Sequence, residues 1–412
     1  MTAAIIILGH LFGIVAFKRF RLATVIFLVL LPTYLIRLKI GPLPTTALEI
    51  FFIFYVCAWL FKHLRRDLPN LLLFLRKYRV FCWSFFTLFA ASVVSIFISD
   101  MWWYSFGQWR AYFFEPFIFF TILVGRGSEL RFEDLQAGLT WSALPVSLWA
   151  VIQGTTGYTL PADGRAVSFF TSPNSMGLYI APIIVILSIS VYKQFNKKIS
   201  LKSALRFRDA WLLALSLVAI FFTRSFGTVL GLLAALLAGL YLLNKKRAAA
   251  ALLIGFVFAA IVSAKMLPEN FSKSQSVQNR LTLWTYSFEF LTRSPKNYFF
   301  GTGIRQFFRK IQKPHYEPKE LERLIYPHNI FLNFWTETGL VGMLGFTGIL
   351  ASLAAFYRYI WRKKQVLSAI TCFGIIVVIL VHGLIDVPYF KNDLAMMFWA
   401  LAAYIIKTRE TV

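Results

Sequence analysis

The chain has 412 residues, 58% of them hydrophobic and 18% aromatic, with a mean hydropathy of +0.66. This exceeds the roughly 45–50% apolar share of soluble domains and predicts a polytopic membrane protein in one transmembrane domain, 1–412, with no independent soluble domain. The formal charge of +25 would suit a nucleic-acid partner, but Lys and Arg gather in the cytoplasmic loops of polytopic proteins for topological reasons, so no nucleic acid is expected.

Apolar runs of about 15–20 residues read as spans. They fall near 3–17, 22–37, 46–62, 80–98, 110–125, 135–153, 174–192, 209–223, 226–243, 248–265, 329–357, 366–385 and 394–407. This predicts an all-α bundle of about 12–13 transmembrane helices, the uncertainty being the short first run with its His10. That run leads into "KRFR" and a second apolar run, so it reads as an uncleaved anchor. Cys57, Cys82 and Cys372 lie inside apolar runs without metal-ligand or C-x-x-C spacing.

The basic segments 62–79, 193–208, 244–247 and 358–364 fall on one face under this count, which assigns that face to the cytoplasm. The outer face receives 38–45, 99–109, 154–173, 223–225, 266–328 and 386–393. The longest, 266–328, carries Leu281, Trp284, Phe288 and Leu291 at helical spacing, with Ser294 and Pro295 as a stop. It is expected to cap the bundle with an amphipathic helix.

On that outer face the candidate functional charges are cationic: Arg165, Arg224 and Arg280, with His328 following in the loop order. Arg224 occupies a turn of only a few residues; its alternative reading is a side chain snorkelling to lipid headgroups. Arg280 is expected in the first turn of the cap helix, where the dipole disfavours a cation and a bound anion would offset it. Solvated or headgroup-facing side chains are the alternative for Arg280 and Arg165. Several guanidinium forks on one face suit a phosphate or pyrophosphate.

Pro327 suits a first helical turn, which puts His328 at the N-terminus of the next span. The dipole and nearby arginines there disfavour imidazolium, and a neutral imidazole can take a proton from a hydroxyl nucleophile. A structural interfacial histidine is the competing reading.

Arg110 and Glu115 read as a structural pair at a spacing of five, imperfect for a helix. His382 and Asp386, four apart, can share a face and either shape an acceptor cleft or hydrogen-bond structurally. Glu337 lies about two and a half turns beyond His328 and would pair with an arginine below the site. Gly339 and Gly342 read as helix-packing positions. No D-x-D pair, G-x-x-x-x-G-K-[ST] or H-E-x-x-H occurs, and "GTGIRQ" lacks the third glycine of a dinucleotide fingerprint. No cofactor or metal is expected, and a donor already carrying phosphate on a membrane lipid is.

"PHNIFLNFWTETGLVG", with His328, Asn329, Leu332, Gly339 and Gly342, resembles the signature of the O-antigen ligase and polymerase superfamily of bacterial envelope glycosyltransferases. "GRAVSFFTSPNSMGLYIAP", holding Arg165 and Asn174, "RSFGTVLG" and "NRLTLWTYSFEFLTRSPKNYFFGTGIRQF" are similar to further family segments, in order over residues 110–393. The first hundred residues match in hydropathy alone. The resemblance implies a GT-C type helical glycosyltransferase of the cytoplasmic membrane, with its site facing the periplasm or exterior. It implies an undecaprenyl-pyrophosphate-linked glycan as donor, a glycolipid or glycan hydroxyl as acceptor, inversion at the anomeric carbon and no metal. Arg224 and Arg280 would hold the pyrophosphate and His328 would assist transfer, with lesser roles for Arg165 and Asn174. Within the family a ligase is favoured narrowly over a polymerase. Rivals from other classes are a transporter of lipid-linked saccharides and a non-catalytic scaffold.

Overall fold

A computed structural model describes residues 2–41, 43–158, 160–161, 163–196, 204–248, 250, 252–253, 275–315 and 323–412. Among these the architecture is a helical membrane bundle whose one sheet is a hairpin, Arg37–Ile40 paired antiparallel with Leu43–Thr46. Among the described residues five helices are long and apolar enough to cross a membrane: Arg79–Ile98, Phe132–Thr156, Pro173–Gln194, Ile330–Arg362 and Val366–Gly383. Thr2–Lys18, Phe20–Val29 and Phe226–Leu242 are shorter apolar helices. The expected span 248–265, parts of the basic segment 193–208 and of the outer loop 266–328 lie outside the described residues.

Several elements differ from the sequence expectation. The run 22–37 stops being an α-helix at Val29, where Pro32 in a following 3-10 turn and then the hairpin take over. The basic segment after Lys62 is a helix, Leu64–Lys77, bent 93° from Ala47–Lys62. The segment 99–109 contains the helix Trp102–Trp109, which continues through a π turn, Arg110–Phe114, into Glu115–Gly125. A π turn brings residues five apart into line, which is why Arg110 and Glu115 do pair, Nη1 to Oε1 at 2.8 Å. Arg110 Nη2 also meets Glu49 Oε2 at 2.9 Å. Glu49 itself closes a capping box with Thr46 at the start of its helix.

Asn392–Glu410, buried along almost its whole length, forms the centre of the bundle, with Trp399 fully enclosed among Phe81, Phe85, Phe117 and Phe120. Such aromatic contacts fill space between spans without polar groups that hydrocarbon would leave unpaired.

The helix Ile330–Arg362 is broken at Gly339, whose φ of 73° is non-helical. A Cβ there would lie 2.0 Å from the Phe299 carbonyl oxygen, so only glycine fits. The break releases carbonyls that a regular helix would bond internally. Thr302 donates to the Thr336 oxygen from its amide at 2.7 Å and its hydroxyl at 2.9 Å, and Ser95 Oγ donates to the Glu337 oxygen at 2.5 Å. The "GTG" turn is therefore an insert that satisfies the broken helix, with Gly301 and Gly303 both at positive φ.

Candidate active site

The cap helix spans Gln275–Thr292, beginning earlier than its apolar periodicity predicts, so Arg280 lies in its second turn rather than its first. Trp284 Nε1 donates to the Pro327 oxygen at 2.8 Å, which ties this helix to the segment before Ile330. Ile330–Arg362 begins at Ile330 with Asn329 as its N-cap, Oδ1 accepting from the Leu332 amide at 3.0 Å. Pro327 is thus not at the first helical position, and His328 precedes the helix in the left-handed region, at φ 55°. A carboxamide cap outcompetes proline for the helix start because it satisfies an otherwise orphaned amide.

His328 Nδ1 stands 3.3 Å from Oδ1 of Asp386. The helix Val366–Gly383 has ended before Asp386, whose amide still donates to the His382 carbonyl at 3.0 Å while its carboxylate meets His328 and accepts from the Val387 amide at 2.8 Å. Burial pushes the Asp386 carboxyl up, but the two imidazoles of His328 and His382 and the Val387 amide reverse this and bring it down to about 2. Asp386 is therefore an ionised partner beside the imidazole. Tyr326 packs edge-on against the His328 ring at 4.9 Å, and its phenol is raised by burial and by the Asp386 charge.

The same turn collects two more of the predicted residues. Arg280 Nε donates to the Ile385 oxygen at 3.1 Å, and Asn329 Nδ2 donates to the Leu384 oxygen at 3.1 Å. His382 is buried one residue before Gly383, with Nδ1 lacking a hydrogen-bond partner among the described residues.

A second cluster forms around Arg224, which is exposed and also left-handed, at φ 48°. Its guanidinium has no polar partner among the described residues. Arg165 braces this turn: Nε donates to the Thr223 oxygen at 2.8 Å and Nη2 to the Arg224 oxygen at 3.3 Å. Asn174 Oδ1 accepts from Ser225 Oγ at 3.0 Å and faces Arg165 Nη2 at 3.5 Å. Non-glycine residues at positive φ persist where the surroundings over-determine them, which is common at functional sites.

Gly227 joins the clusters. A Cβ on it would lie 2.8 Å from His382 Cδ2 and 3.0 Å from Ile385 Cδ1, so the start of Phe226–Leu242 presses on the turn that holds Arg280. Lys391, which the sequence reading did not select, hydrogen-bonds through Nζ to Ser175 Oγ beside Asn174. Burial lowers its pKa, opposed by Asp393 and Asp386. Its only sequence signal is a lysine in the short outer segment just before the last helix.

Glu337 is not in this cluster. Its Oε2 accepts from the main-chain amide of Arg305 at 2.8 Å, beside the helix break, so the arginine it meets offers its backbone. A Cβ on Gly342 would fall 2.0 Å from Thr338 Oγ1 of its own helix and 3.4 Å from Ala91 Cβ of Arg79–Ile98, ordinary contact distance to the neighbouring span.

Next to Asn329 an apolar groove of about 330 Å³ runs between the cap helix and the broken helix, lined by Trp284, Phe288, Phe331, Leu332, Trp335 and Met343. Among the described residues no group of three or more His, Cys, Asp or Glu side chains is placed to hold a metal.

Fold and site thus define a polytopic helical membrane protein with a histidine–carboxylate pair and several cations at one end of the bundle. Residues 211–347 match the family model Wzy_C, described as O-antigen ligase, which supports the O-antigen ligase and polymerase superfamily for this chain. The matched stretch contains Arg224, Arg280 and His328. It supports a membrane glycosyltransferase of the ligase and polymerase type. No curated protein matches the chain.

Proposed function

We propose that the protein is an O-antigen ligase, transferring a glycan from an undecaprenyl-pyrophosphate-linked donor to a hydroxyl of lipid A core, with inversion and without a metal. The observation that carries this reading is the meeting of His328, Asp386 and Arg280 on the turn after Gly383, with the Arg224 turn packed against it through Gly227.

In this mechanism the Asp386 carboxylate, 3.3 Å from His328 Nδ1, stabilises the imidazolium that forms, the part an aspartate plays beside a hydroxyl-activating histidine. Nε2 takes the proton of the acceptor hydroxyl. The acceptor oxygen forms its bond to the anomeric carbon as the bond from that carbon to the phosphate oxygen breaks, and undecaprenyl pyrophosphate leaves with the electron pair. Arg224, Arg280 and Lys391 hold the diphosphate and the charge that grows on it, while Arg165 and Asn174 brace the Arg224 turn. The polyprenyl chain takes the apolar groove beside Asn329. A site facing the periplasm of the cytoplasmic membrane is supported by the basic helix Leu64–Lys77 and the segment 358–364 at the other end of the bundle.

The test is transfer by purified protein in proteoliposomes, given lipid-linked glycan and, in turn, lipid A core or a second lipid-linked repeat. Glycan on lipid A core supports the ligase; chain growth on the lipid-linked repeat alone replaces it with a polymerase. A transporter would keep its activity in His328→Ala, whereas the transferase loses transfer and retains donor binding.

A further inference from the structure

At the end of the bundle remote from His328, the helix Leu64–Lys77 turns 93° away from Ala47–Lys62. Its residues Leu68, Leu72, Leu73 and Leu75 are exposed, and its cations Arg65, Arg66, Arg76 and Lys77 are exposed with them. A helix of this composition at right angles to a span lies in the membrane interface, its leucines among acyl chains and its cations at headgroup level. The buried Arg126–Asp67 pair, Nη1 to Oδ1 at 3.1 Å, and Trp59 Nε1 donating to Asp67 at 2.9 Å anchor it to the bundle.

Between this helix, the 127–131 turn and the end of Asn392–Glu410 lies a cavity of about 370 Å³. Leu73 and Phe132 line it together with Lys77, Arg131, Lys407 and Glu410. Lys407 is 3% exposed, and among the described residues its ammonium makes one hydrogen bond, to the Gly127 oxygen at 2.9 Å. An ammonium has three donors, so its remaining N–H groups are available to a ligand in the cavity. Lys77 is only loosely paired with Glu410, at 3.7 Å, and Glu410 also accepts from the Tyr78 hydroxyl at 3.2 Å. Three cationic residues thus line the cavity with one carboxylate that is already engaged.

We propose that this cavity binds the headgroup phosphate of an anionic phospholipid of the leaflet opposite the active site, a site separate from the one that handles the glycan donor. Phosphate is the chemistry that three convergent cations select, and the exposed leucines beside them point to a lipid rather than a free phosphate as its source. The bound headgroup fastens the interfacial helix to the end of the central helix Asn392–Glu410.

Native mass spectrometry of the full-length protein, exchanged against phosphatidylglycerol or phosphatidylcholine, tests this. Phosphatidylglycerol is expected to remain bound and phosphatidylcholine to dissociate. The variant K77Q/R131Q changes two exposed side chains remote from the active site and is expected to lower phosphatidylglycerol affinity about fivefold per charge, roughly 25-fold in all, with glycan transfer in detergent unchanged. E410Q, which removes the opposing carboxylate, should tighten it. Equal retention of both lipids, unaltered affinity in K77Q/R131Q, or displacement of the lipid by an equal concentration of inorganic phosphate would each overturn the proposal.

Discussion

Asp386→Asn isolates the contribution of the carboxylate to the proposed chemistry. The substitution conserves shape but removes the charge 3.3 Å from His328 Nδ1. The fall of the Asp386 carboxyl from 3.8 to about 2 is the net of burial, which opposes it, and of His328, His382 and the Val387 amide together, a stabilisation on the order of 2 kcal/mol that bounds the share due to His328. Coulomb attraction at that distance in an effective dielectric of 20 sets an upper limit near 5 kcal/mol. If that coupling is realised when the imidazole becomes cationic, kcat falls roughly 30-fold while KM for the donor stays within about twofold. Steady-state transfer from a lipid-linked donor in proteoliposomes measures both constants, and thermal unfolding in the same detergent checks that the variant is folded. A folded D386N enzyme within threefold of wild-type kcat, alongside an inactive His328→Ala, would show that the carboxylate does not steer the imidazole.

Four further outcomes follow from the geometry. Arg224→Lys and Arg280→Lys should recover little of the transfer lost in the alanine variants, because a point charge cannot replace a guanidinium fork on a diphosphate; full recovery by lysine would argue for simple charge steering. Gly339→Ala should lower stability by about 2 kcal/mol or more, read as a depressed Tm, since a Cβ would meet the Phe299 oxygen at 2.0 Å and the φ of 73° disfavours it. Arg110→Met leaves the Glu49 and Glu115 carboxylates without their partner and should cost roughly 3–5 kcal/mol, with Glu115→Gln in the same chain restoring part of it. Asp386 has its folded pKa depressed below 3.8, so its stabilisation is present above that value and is lost as pH falls toward 2; the acid limb of an unfolding curve should therefore flatten in Asp386→Asn.

The fold class was legible because apolar runs are dictated by the bilayer, and hydrocarbon tolerates little else. Arg280, His328 and Asn329, which the structure gathers on one turn, stood out as candidates because their local context was unusual for a membrane loop. The partner of His328 was not: Asp386 is 58 positions away, past the end of a helix, and a helical reading paired it with His382 instead. Lys391 was missed because one lysine in a short outer segment is indistinguishable from an interfacial charge until Ser175 is beside it. The Arg110–Glu115 pair was legible, but the π turn that aligns it was not, because hydropathy carries no signal for one extra residue per turn. The left-handed backbones of Arg224 and His328 were equally invisible, since residues with a Cβ enter that region only rarely and nothing in the local sequence announces it.

The filled break at Gly339 also limits how such proteins can be recombined. Thr302 donates its amide and hydroxyl to the Thr336 carbonyl, so a cap transplanted from another protein without that turn would leave this carbonyl bare in the middle of a span. The two stretches, 299–303 and 336–339, can be exchanged only together. Cap and bundle must then diversify as one unit, however freely the surrounding loop varies.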